Sequence, residues 1–148
     1  MPFLRPAATF TQALEEITNQ LAKYGSVDAS DDGGRRRRNV AFVVDVPGYG
    51  IRTVATLEYR ERYKRSAQGW LRDRYVFEYR TPSPRSRRAH HEHVGWGIHQ
   101  HCEPPGITSL EHYQDVERLL LATHEDFARL LDRGEPVRCL GLKVRPPS

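Results

Sequence analysis

Two alternating runs separated by one short turn constrain this chain more than any other feature. In Ile51–Lys64, Ile51, Thr53, Ala55, Leu57 and Tyr59 fall on one side. In Trp70–Arg80, Leu71, Tyr75, Phe77 and Tyr79 do the same, interrupted by Asp73. A period of two is the mark of a strand with one face buried. Ser66–Gly69 is a turn, and no helical crossover lies between the runs, so the pairing is antiparallel. Asn39–Val46 is nearly all apolar, which predicts a buried central strand closed by Pro47-Gly48-Tyr49-Gly50.

Helices are expected on either side of this meander. Phe10, Leu14, Ile17 and Leu21 recur three or four apart, predicting an amphipathic helix over 11–24 with Gly25 as its terminator. Thr108-Ser109-Leu110-Glu111 reads as a capping box opening a helix over 108–133 that ends at Gly134. Its buried stripe would be Tyr113, Val116, Leu120, Phe127 and Leu131, with His124 beside it as a hydrogen-bonded core histidine. Residues 26–38 combine an Asp-, Ser- and Gly-rich stretch with four arginines at Arg35–Arg38, and read as a mobile linker. Residues 137–144 predict a last short edge strand. The fold class is α+β: one domain over 1–148, with an antiparallel sheet over 39–101 between an N-terminal and a C-terminal helix.

The densest chemistry lies in His91-Glu92-His93-Val94-Gly95-Trp96-Gly97-Ile98-His99-Gln100-His101. It is nearly a mirror image about Trp96, and a Gly95-Trp96-Gly97 tip predicts a hairpin. That register opposes His93 to His99 and His91 to His101, so His91, His93, His99 and His101 project from one face. Three roles are open to them. Imidazole titrates near neutrality, so opposed rings can act as general acid and base in RNA cleavage without a metal. His-x-His on a strand with a cross-strand partner can instead hold a divalent ion such as zinc, nickel or manganese. The remaining role is structural, with stacked rings over the core or at a subunit contact.

Charge suggests an anionic partner. The 148 residues carry a formal charge of +4. One side of the two alternating strands presents Arg52, Arg60, Arg62, Lys64, Arg72, Arg74 and Arg80 against Glu58 and Glu78. With Arg87 and Arg88 leading into the histidines, this face is expected to hold phosphate, although local pairing with the glutamates is the alternative. No apolar run is long enough to span a membrane, and Met1–Phe10, broken by Pro2, Arg5 and Pro6, is not read as a secretory signal. Two cysteines, Cys102 and Cys139, argue against a disulfide scaffold and make a cytoplasmic setting the default.

Tyr79-Arg80, the run His90–His93 and Ser109-Leu110 occur in an order that resembles the TumE-type toxin-component family of prokaryotic toxin–antitoxin systems. The resemblance spans the arrangement from about Val40 to Leu131, but only those short pieces in residues. No Tyr-Asp-Asn precedes the histidines, and the N-terminal helix and second His-x-His are additional. It implies action on RNA, a cognate antitoxin partner, and His90, His91 and His93 as candidate functional residues. The leading expectation is a small toxin-like endoribonuclease using His91, His93, His99 and His101 with no cofactor. Arg60, Arg62, Arg72, Arg74, Arg80, Arg87 and Arg88 would hold phosphate. The alternative is a non-enzymatic metal-binding or interaction module on the same histidines, with a homodimer admitted in either case.

Overall fold

The computed structural model describes residues 3–48, 53–93, 97–106, 110–113, 117–133, 137 and 143–144; the side chains of 93, 110–113 and 143–144 lie outside that description. The fold is α+β. Seven strands of the sheet follow chain order as an antiparallel path: β2 (Ser26–Asp31), β3 (Arg37–Pro47), β4 (Thr53–Ser66), β5 (Gly69–Pro82), β6 (Arg85–His93), β7 (Gly97–Glu103) and β8 (Leu110–Tyr113). A two-residue β9 (Lys143–Val144) extends the path beyond β8, and β1 (Leu4–Arg5) pairs with the end of β5.

Both helices pack on one face. Helix α1 (Phe10–Leu21) buries Phe10, Ile17 and Leu21 at the predicted spacing, and Leu14 packs beside them half-buried. Helix α2 (Leu120–Arg133) buries Leu120, Thr123, His124 and Phe127. Against them the sheet presents Val40, Phe42, Val44, Leu57, Tyr59, Phe77 and Tyr79, all buried. Alternation therefore works as expected across β4 from Ala55 and across β5 from Tyr75 onward, whereas Leu71, expected on the side of Tyr75, lies on the other side of β5 from Trp70 and Arg72. In β3 it limits burial: Val40, Phe42, Val44 and Val46 are buried while Ala41 and Val43 stay half-buried, so β3 is a one-sided strand next to the edge.

Two expectations are corrected. Residues 26–31 are not a linker but the edge strand β2, with every residue paired to β3. Its exposed side chains look like loop composition because an edge strand needs its backbone hydrogen bonds more than apolar side chains. The turn after it is held by Asp31, which receives Arg38 Nε at 2.8 Å, and Asp32, which receives Asn39 Nδ2 at 2.7 Å. Arg38, part of the arginine run, also stacks 4.3 Å over the Phe10 ring. Finally, the segment after the histidines does not enter a helix at 108. Leu110–Tyr113 pairs with β7, and the helix begins at Leu120. Thr108 and Ser109, and the turn residues 49–52 with Arg52 among them, lie outside the described residues.

The interruption at Asp73 is a β-bulge. Arg62 pairs with Arg74 and Tyr63 with Arg72, leaving Asp73 as the extra residue. One inserted residue reverses the facing of everything before it. Trp70 and Arg72 therefore turn into the core, and Arg72 is 1 % exposed. Its guanidinium donates to Glu61 Oε2 at 2.8 Å, to Glu117 Oε1 at 2.9 Å and to the Arg118 carbonyl at 2.5 Å, and lies 4.3 Å over the Tyr75 ring.

His124 takes the core role expected of it, 2.8 Å from the Tyr59 hydroxyl through Nδ1. Burial pushes its imidazole below the ordinary histidine range, with Glu125 opposing and Lys23 adding to the shift. The unfolded chain accepts this proton near pH 6.5 and the folded chain resists it. Stability should therefore be full above that value and fall as pH drops through it. His124→Phe should flatten the decline in thermal midpoint between about pH 7 and 5; an unchanged slope would remove His124 as its cause.

Candidate metal centre

His91, His99 and His101 converge on the face opposite the helices. His99 and His101 are two apart on β7, hence on one side of it, and β6 places His91 directly across from His99. The three rings touch edge to face, with centroids 5.2 Å apart for His91–His99 and 4.9 Å for the other two pairs. One ligand atom from each lies within 4.8 Å of the others. His99 is 2 % exposed, and the His91 and His101 rings are half-buried.

The register differs from the mirror-image expectation by two residues. Glu92 opposes Ile98 and His93 opposes Gly97, where the mirror image would oppose Val94 to Ile98 and His93 to His99. Gly97, the first residue of β7, takes φ +67°, a left-handed conformation that favours glycine. A two-residue offset keeps every side chain on its face, so the cluster survives with a changed partner. His93, expected opposite His99, has its side chain outside the described residues. His90 points the other way. It is 5 % exposed with its ring 6.0 Å from Phe127, so it is a core histidine and not part of the cluster.

Neighbouring groups prepare the rings. His99 Nδ1 lies 3.3 Å from the Gly97 carbonyl. A carbonyl only accepts, so Nδ1 carries the proton and Nε2 the lone pair that a metal needs. His91 Nε2 lies 3.6 Å from the Glu78 carboxylate, a carboxylate–imidazole contact of the kind that orients metal ligands. Glu78 is 5 % exposed. Burial alone would raise its pKa, but His91, Arg87 and Arg80 outweigh it and hold the carboxyl well below the usual range.

The arginines expected to hold phosphate divide. Arg72 and Arg88 do not face the histidines: Arg72 is the core cation described above, and Arg88 pairs across from Tyr79 on the helix-facing side, where burial lowers its pKa. The others stay on the histidine face or its margin, largely compensated. Arg60 pairs with Glu58, Arg62 with Asp73 at 3.0 Å, and Arg80 with Glu78 and Glu58. Arg87 reaches Glu78 at 2.6 Å and Glu103 at 3.3 Å, and Arg74 is exposed opposite Arg62. Local pairing therefore accounts for most of this basic face.

Cys102, next in β7 and 0 % exposed, points into the helix-facing core and is disulfide-bonded, which the sequence expectation of a reducing setting did not include. No helix among the described residues is long and apolar enough to cross a membrane. Comparison with protein-family models, with curated proteins and with solved structures finds no match for this chain.

Proposed function

We propose that His91, His99 and His101 bind one divalent transition metal, zinc fitting best, and that the protein is a metal-dependent hydrolase acting on RNA phosphodiesters. The observation that carries this reading is the convergence of three imidazole ligand atoms within 4.8 Å. Tetrahedral coordination at a Zn–N distance near 2.05 Å separates ligand nitrogens by about 3.3 Å. The rings would have to close by at most about 1.5 Å to meet an ion. Acid–base catalysis without a metal needs a phosphate between two imidazoles, and rings already in edge-to-face contact leave it no space.

With His91, His99 and His101 holding the ion, a fourth position would be left to water, and zinc there would supply a water acidic enough to act as nucleophile near neutral pH. The neighbouring Arg80 and Arg87 favour an anionic ester over a neutral one. RNA is the class that also agrees with the TumE-type resemblance, and an antitoxin partner belongs to the same proposal.

Elemental analysis of untagged protein purified without chelator should find about one zinc per chain. RNA cleavage should stop in chelator and return with added zinc. Cleavage that persists without metal would restore the metal-free acid–base mechanism, and stoichiometric metal without cleavage would leave a binding module. Absence of metal after reconstitution with zinc would overturn the centre itself.

A further inference from the structure

One row of residues beyond the histidines, the same face opens into a cleft of about 700 Å³. Arg80, Arg85 and Arg87 are among its lining residues with Thr56 and Ser86, and Asp45 and Glu103 face into it as acids. Its placement follows from the register. Arg87 pairs with Glu103 two residues along from the Ala89–His101 pair, which puts the cleft wall about 7 Å from the row of His101.

The cleft's charges are arranged unevenly. Arg87 is fixed at both ends by Glu78 and Glu103, and Arg80 is anchored on Glu78 with its side chain 54 % exposed. Arg85 is exposed at the β5–β6 turn. A guanidinium has five N–H donors, and a carboxylate that holds it in place uses only some of them. The result is a set of pre-positioned donors beside hydroxyls, in a cavity whose net charge Asp45, Glu78 and Glu103 keep low. Such a site suits one phosphate group bound by directed hydrogen bonds. It does not suit a long polyanion drawn in by field alone.

We infer that this cleft is a binding subsite for a single phosphate group of the substrate, flanking the position at which the histidine centre acts. The inference rests on the hydrolase reading for its place beside the reacting bond, but binding itself requires no metal. The test therefore uses chelator-treated full-length protein. Inorganic phosphate and short fluorescein-labelled single-stranded RNAs, with and without a 5′-phosphate, should bind competitively. Arg80→Ala and Arg85→Ala should each weaken binding about tenfold, the size of one charge-assisted hydrogen bond. Arg85 is exposed and Glu78 keeps Arg87 when Arg80 is removed, so thermal midpoints should stay near that of the wild type. The slope of log affinity against log salt should be about −0.7, one phosphate on a single strand. Preference for the 5′-phosphorylated RNA would assign the site to a terminal phosphomonoester, and equal binding would assign it to an internal phosphodiester.

Unchanged affinity in both variants would overturn the subsite whatever the zinc analysis shows. So would a salt slope of several phosphates, or equal competition by an acidic peptide. Loss of zinc binding with phosphate binding intact would instead overturn the metal centre and leave the cleft standing.

Discussion

Arg72→Ala should cost about 3–5 kcal/mol of folding stability, although it removes a cation from the helix-facing core and not an apolar side chain. The reason is what it leaves behind. Glu61 has a fully buried side chain, Glu117 is 18 % exposed, and Arg72 is the cation between them. Arg5 lies 3.8 Å from Glu61 and is mainly engaged with the Tyr63 hydroxyl at 2.8 Å, so it does not replace the lost charge. The same argument predicts that Arg72→Met combined with Glu61→Leu recovers most of the loss, since a buried pair replaced by apolar groups of similar volume is often close to neutral. Equilibrium urea unfolding of the single and double variants measures both. A single-variant loss under about 1 kcal/mol would mean that water reaches the pair and that it is a surface bridge in disguise.

His99→Ala should abolish stoichiometric zinc binding, with affinity falling by more than about a hundredfold. Removing an outer partner of a ligand already costs about 10–100-fold, and here a ligand itself is lost. His99 is the most buried of the three, and its Nδ1 contact to the Gly97 carbonyl leaves Nε2 as the donor to metal. Glu78→Gln should fall in the smaller range, about tenfold, because an amide oxygen still faces His91 Nε2 but no longer carries the charge. His90→Gln should leave metal affinity unchanged, since that ring is packed near Phe127 on the far side of the strand. Competition titrations with a chromophoric chelator would rank the three. Equal affinity in His99→Ala and wild type would remove the centre, and a large loss in His90→Gln would mean that the strand faces are misassigned.

The sequence read some elements well for a reason internal to them. Phe10, Ile17 and Leu21 define one side of a helix without reference to anything else, and Leu57, Tyr59, Phe77 and Tyr79 define one side of a pair of strands. Ser26–Asp31 and Leu110–Tyr113 carry no such mark, because each is made a strand by its neighbour: β3 supplies the backbone partners of the first and β7 those of the second. Asp31–Gly34 keeps the turn chemistry that its composition suggests, with Asp31 accepting from the Gly33 amide at 2.9 Å.

The candidate site shows the same division more sharply. That His99 and His101 share a face follows from sequence alone, because side chains alternate with a period of two; His91 joins them because the observed register differs from the mirror-image one by an even number of residues. Which ring meets which was decided by the pairing of β6 with β7, which sets His91 and not His93 opposite His99. Arg72 marks the opposite limit. Composition made it one more cation on a basic strand, but a single extra residue at Asp73 reverses the count and carries its charge into the core, where only Glu61 and Glu117, brought from other segments by the fold, make it tolerable.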